Sequence, residues 1–209
     1  QLMGLYLSIP GLRGFWPGSG FGVDGSGTST FNDLSGNGLH LLANGNVQQQ
    51  VNGIAPRIRF VATASQYLSH PSTDVLNYRT TNVTSTYQGL TLGGWFYHLT
   101  DTVSRGYISK WTTAGNQRGY ALLANASGVP SASVSSDGSA FVSVIAGSAI
   151  SIATWHFVAA RFRPGQELAL FVDGQKYTNT INIPSAIHAS TADLTIGAHS
   201  GASFFDGYA

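Results

Sequence analysis

The sequence predicts an all-β fold, a two-sheet antiparallel β-sandwich of jelly-roll type, and three observations carry that prediction. No window of helix length holds a sustained 3.6-residue apolar period with caps. Short runs of alternating apolar and polar residues recur instead, as half-buried strands require. Between them stand residues that reverse a chain. Asn44-Gly45, Asp137-Gly138 and Asp173-Gly174 suit two-residue hairpin turns, which need positive φ, and Pro164-Gly165 suits a β-turn.

In chain order, Gly14–Trp16 is a short first strand, and Pro17–Asn37, rich in Gly, Ser and Thr, is a long surface loop. Leu39–Leu42, Arg57–Val61 and Tyr67–Ser69 are short strands. Pro71–Gln88 is polar and irregular, with a helical turn near Asp74–Leu76. Stronger strands follow at Leu90–Leu99, Gly106–Trp111, Arg118–Leu123 and Ala140–Ile145. The best-defined hairpin is Thr154–Val172: Val158, Ala160 and Phe162 share one face of its first strand, and Leu168, Leu170 and Val172 share one face of its second. Asp173-Gly174 then turns into Gln175–Tyr177, and Leu194–Ala198 is a late strand. No internal repeat and no linker interrupts this series, so one domain is expected over residues 1–209.

Composition narrows the function. The chain has 209 residues, of which only 9% are charged, against roughly a quarter in an average domain. Ten Lys and Arg face nine Asp and Glu, so the basic excess that nucleic-acid binding requires is missing. Without cysteine there is no disulfide framework and no thiolate metal site. No apolar run reaches the length of a membrane-spanning helix. Gln1 is not an initiator, which suggests a processed product or part of a longer chain.

Several phrases carry a family resemblance. Asp33-Leu-Ser-Gly-Asn-Gly-Leu-His40 follows the first strand. Gln66-Tyr67-Leu68, Leu90-Thr-Leu-Gly-Gly-Trp-Phe96 and Tyr107-Ile-Ser-Lys110 come next. The most specific are Trp155-His-Phe-Val-Ala159, Leu168-Ala-Leu-Phe-Val-Asp-Gly174 and Leu194-Thr-Ile-Gly197, with Phe204-Phe-Asp-Gly207 near the end. In this order they resemble the concanavalin A-like lectin/glucanase superfamily, more narrowly its laminin-G-like jelly rolls, which include the pentraxins. The resemblance implies a closing strand that begins Ile-Asp-Glu. The expected domain therefore belongs to a longer chain whose closing strand lies beyond Ala209.

The chemistry of the residues points to binding. The glucanases of that superfamily use two Glu on one strand, a nucleophile and an acid/base. This chain has one Glu, Glu167, beside a turn. It has no Gly-x-Ser-x-Gly elbow and no His-Glu-x-x-His, and its Gly20-Phe-Gly-Val-Asp-Gly25 lacks the strand and helix that would aim N–H groups at a pyrophosphate. His98 and His156 are read as ordinary strand residues. An enzyme is not expected.

Two binding sites are expected. Calcium wants several oxygen ligands, and the resemblance to calcium-binding jelly rolls points to Asp33 and Asn37, with Asp206 approaching from the closing segment. The same Asp33 and Asn37 also suit Asx-turns, and both readings stand open. Sugar binding wants an exposed aromatic platform. Trp16, Trp95 and Trp155 lie within strand phrases and are assigned to the core. Trp111 ends a strand before a loop and is the expected stacking residue, with Asn116, Gln117 and Arg118 beside it. Asn82-Val-Thr84 and Asn125-Ala-Ser127 are glycosylation sequons.

Three functions compete. The first is a non-catalytic recognition module for a glycan or protein surface, outside the cell or on a virion. The second is a structural domain packed against neighbouring subunits of a virion or surface layer, which sparse charge favours. The third is a glycoside hydrolase, the minority reading.

Overall fold

The computed structural model describes residues 11–23, 29–51, 55–78, 89–101 and 103–209. Phe21–Val23 (β1), Ser29–Phe31 (β2), Leu41–Asn44 (β3), Gln48–Gln50 (β4), Arg57–Phe60 (β5) and Tyr67–His70 (β6) form the first half. Leu90–His98 (β7), Arg105–Thr112 (β8), Gln117–Ala124 (β9), Pro130–Val134 (β10) and Val142–Ile145 (β11) follow. Trp155–Arg163 (β12), Glu167–Val172 (β13), Gln175–Asn179 (β14), Leu194–Ile196 (β15) and Gly207–Tyr208 (β16) complete it.

These strands make two antiparallel sheets. One has nine strands in the order β1-β2-β3-β6-β15-β8-β9-β10-β11, and the other has seven in the order β14-β13-β12-β7-β16-β5-β4. The expected sandwich is therefore present, with β7 at the centre of the seven-stranded sheet and β12 beside it. Between the sheets, Phe31, Leu41, Phe60, Leu68, Phe96, Leu122, Val158, Phe162, Leu168 and Leu170 are all buried in one core. The predicted hairpin faces hold: Val158, Ala160 and Phe162 of β12 point inward, as do Leu168, Leu170 and Val172 of β13.

Two expectations need correction. The Pro17–Asn37 stretch is not all loop, because β1 and β2 lie inside it as an antiparallel pair, Phe21 opposite Phe31. Each is only three residues long, Phe-Gly-Val and Ser-Thr-Phe, too short for an alternation to stand out among the surrounding Gly, Ser and Thr. Gly14–Trp16, expected as a strand, is held by other bonds. Phe15 N donates to Asp33 Oδ1 at 2.9 Å, and Trp16 Nε1 donates to the Leu39 carbonyl at 2.7 Å. The helical turn at Asp74–Leu76 is a short 3-10 helix. Residues 79–88, with the Asn82 sequon, lie outside the described residues.

Lys110 is wholly buried in β8. Its Nζ donates to Ser72 Oγ at 2.7 Å and to the carbonyls of Ser190 and Ala192 at 2.6 Å each. Burial pushes its pKa down to about 8. The three acceptors offset the loss of water and tie two irregular segments to the nine-stranded sheet.

Candidate functional site

The outer face of the seven-stranded sheet carries the feature that most needs explaining. Along β7, Leu92, Gly94, Phe96 and His98 turn inward, so Thr91, Gly93, Trp95 and Tyr97 turn outward. Along β12 the same alternation sends Trp155, Phe157, Ala159, Arg161 and Arg163 outward. The register then aligns like with like: Trp155 opposite Tyr97, Phe157 opposite Trp95, Ala159 opposite Gly93. β16 adds Tyr208 opposite Tyr97.

The rings form a strip of two neighbouring groups, Trp95 with Phe157 and Tyr97 with Trp155 and Tyr208. Centroids are 5.5 Å apart for Trp95–Phe157 and for Tyr97–Trp155, 5.6 Å for Tyr97–Tyr208 and 6.5 Å for Trp155–Tyr208. Trp95 is 58% exposed, Phe157 38% and Trp155 36%. Exposed apolar groups scattered singly need no explanation, but five aromatic side chains on adjacent pairs of one face are the kind of patch that marks an interaction surface. Beside Trp95 and Phe157 the face dips to Gly93 and Ala159. A Cβ on Gly93 would stand 2.6 Å from Ala159 Cβ, so the close approach of β7 and β12 requires glycine there.

Cations flank the strip. The Arg57 guanidinium carbon sits 4.6 Å from the Tyr208 ring centroid, and that of Arg59 5.4 Å. Arg59 also pairs with Asp206 at 3.0 Å. At the other end Arg161 lies 5.7 Å over Phe171. Glu167 there is bonded by Arg161 and, at 2.8 Å, by Lys176. The Lys176 bond foremost, then Arg161, holds the Glu167 carboxyl down at about 2. Such a carboxylate stays ionised and is unsuited to donating a proton to a leaving group.

The expected site residues fall elsewhere. Trp111 is not exposed: it is 7% exposed, its ring 5.3 Å from Phe141 and 5.8 Å from His199. It lies on β8, inside the nine-stranded sheet, where Phe141 and His199 pack against it. Gln117 accepts a bond from Thr191 N at 2.8 Å, and Arg118 donates to the Ser139 carbonyl, so both hold loops together. Asn116 ends a 3-10 turn with φ of 54°.

Asp33 is 6% exposed, and four donors fill its carboxylate. Oδ1 accepts from Phe15 N and Ser35 N, and Oδ2 from Ser35 Oγ and Leu39 N, at 2.7–3.0 Å. Burial works against the charge, but these bonds outweigh it and leave the carboxyl below its ordinary range. Asn37 Nδ2 donates to the Leu12 and Arg13 carbonyls, both at 3.0 Å. Asp206 is engaged by Arg59 and, at 3.3 Å, by Thr100 Oγ1. With every lone pair of Asp33 taken, this arrangement fits an Asx-type loop lock and does not fit a calcium ion. Among the described residues no three His, Cys, Asp or Glu side chains group as metal ligands.

One chain of bonds escaped sequence reasoning. Ser151 Oγ lies 3.0 Å from His156 Nε2, and His156 Nδ1 lies 2.6 Å from Asp173 Oδ2. The order is that of a nucleophile, a base and its orienting acid. His156 is only 9% exposed, however, and its Nε2 also faces the Ser151 carbonyl at 3.1 Å. Asp173 Oδ1 accepts Phe157 N at 2.8 Å. These bonds fasten the 151–156 segment to the Asp173-Gly174 turn.

The sequence model of a family described as the Concanavalin A-like lectin/glucanases superfamily (Laminin_G_3) matches residues 62–208. No curated protein matches the sequence significantly. Among solved structures, the binding domain of Paraclostridial Mosquitocidal Protein 1 is similar at a TM-score of 0.63 and 14% identity, over 93% of this chain and 48% of that one. The binding domain of Botulinum Neurotoxin DC, solved in complex with SialylT, is similar at 0.61 and 11%, over 89% and 44%. The same domain in complex with rat synaptotagmin II is similar at 0.61 and 12%, over 88% and 43%. This chain thus spans less than half the length of these neighbours, and the likeness is one of fold.

Proposed function

Because this chain belongs to the concanavalin A-like lectin/glucanase superfamily, we propose that it is a non-catalytic recognition module, binding saccharide on the aromatic outer face of its seven-stranded sheet. One observation carries the reading: Trp95, at 58% exposure, meets Phe157 on the same outer face that carries the Tyr97, Trp155 and Tyr208 group. A pyranose is amphipathic. Its C–H face stacks on an aromatic ring, and its hydroxyls stay in water or meet polar groups at the rim. The similar structures named above are binding domains by their descriptions, one solved with a sialylated ligand, which is in keeping with this reading.

Isothermal titration over a panel of oligosaccharides tests it. The wild type is expected to bind at least one class, and Trp95→Ala to weaken that binding by about tenfold, as loss of a stacked ring does. A panel without any bound saccharide would sink the reading.

A second reading rests on sparse charge. At 9% charged, with aromatics exposed, the face also suits burial against a protein, including a neighbouring subunit of an extracellular or virion assembly. Hydrolysis is the least supported reading. An ester and glucan assay with Ser151→Ala and Glu167→Gln checks it, and turnover abolished by either variant would revive it.

A further inference from the structure

The charges on the aromatic face are unequally answered. Five of the chain's ten basic residues, Arg57, Arg59, Arg161, Arg163 and Lys176, lie on the outward positions of β5, β12 and β14. Asp206 answers Arg59. Glu167 answers Arg161 and Lys176, with Arg163 3.8 Å away. Among the described residues, Arg57 has no carboxylate partner. Its buried Nε makes no hydrogen bond. What fixes the guanidinium is the Tyr208 ring, 4.6 Å beneath it.

That placement has a chemical meaning. A guanidinium laid on an aromatic ring is held in one orientation, so less freedom is lost when its outer N–H groups bond. Its planar fork matches the two oxygens of a carboxylate. The ring beneath it continues the strip through Tyr97 and Trp155. We infer that the face selects saccharides bearing a carboxylate, with a sugar ring on the strip and the carboxylate on Arg57. The inference rests on the saccharide reading above and adds the ligand's charge to it.

The experiment compares matched pairs: sialyllactose against lactose, and oligogalacturonate against its carboxyl-reduced product, with a sulfated oligosaccharide as the other anion. By titration at low salt, the wild type is expected to favour the carboxylated member by about tenfold. Arg57→Gln should bring the two members of a pair to within about twofold, and Arg57→Lys should recover only part of the preference, having charge without the fork. Thermal melts confirm that both variants fold. Equal binding of acidic and neutral members, a preference that survives Arg57→Gln, or stronger binding of the sulfated sugar overturns the inference while leaving saccharide binding intact. Failure to bind any saccharide overturns both.

Discussion

Trp95 and Trp111 sit in opposite surroundings, one at the surface and one in the packed interior, and the difference can be measured. Trp111 is packed under Phe141 and His199, so Trp111→Ala is expected to cost about 3–5 kcal/mol in urea melts, as truncating a buried aromatic does. Trp95→Ala, at a 58% exposed position, should move stability by only about 0.5 kcal/mol while weakening the ligand. Parity held the clue. Once Val158, Ala160 and Phe162 are placed in the core, Trp155 and Phe157 must point the other way. Such a signal misleads in Leu90–Leu99, where both faces carry large apolar residues and hydrophobicity does not distinguish inside from outside. Asp33 was legible as a loop residue, but whether its oxygens face N–H groups or an ion depends on where Phe15 and Leu39 lie in space. With those oxygens filled, melts in calcium and in chelator are expected to superimpose. Glu167 gives a pH signature. Its folded pKa of about 2 lies below the ordinary 4.5, so its stabilisation is present above 4.5 and is lost as pH falls toward 2. Glu167→Gln should therefore destabilise at neutral pH and by progressively less through that acid window.

At the scale of the element, the strands that read clearly are those whose alternation and turns agree. β12 and β13 are joined through Pro164-Gly165, and β13 and β14 through Asp173-Gly174, where φ is 49° and 86° as a two-residue hairpin requires. β1, β2 and β4 escape the reading because Phe-Gly-Val, Ser-Thr-Phe and Gln-Gln-Gln are too short to show a period, and the last has no apolar residue. β7 is the element on which site and fold meet. Gly93 lets β12 approach until a Cβ would meet Ala159 Cα at 2.9 Å and the Val158 carbonyl oxygen at 2.9 Å. Gly93→Ala is expected to cost about 1–3 kcal/mol by overpacking and to weaken saccharide binding, because it parts the strands that align Trp95 with Phe157. Paired melts and titrations check both effects. A loss of binding without a loss of stability would show that the dip itself, rather than strand spacing, contacts the ligand.

For the whole molecule, a net charge of +1 offers little repulsion between copies, and the aromatic face offers them a contact. Light scattering at neutral pH is expected to give a mass that rises with concentration, with Trp95→Lys returning it to the monomer value. The sheet containing that face is also unevenly hydrogen-bonded. β7 pairs with β12 from Leu90 to Tyr97, but β16 meets it only at Tyr97 and His98. Among the described residues, the remaining edge of β7 has no strand beside it, and its main-chain donors and acceptors form a template for one. Ala209 already exchanges both main-chain bonds with Ile58 on the facing strand. Any strand added in this gap would set its alternate side chains between Arg57 and Trp95. Completing the sheet and choosing the ligand are thus not separable: whatever pairs with β7 also writes part of the surface that a sugar would touch.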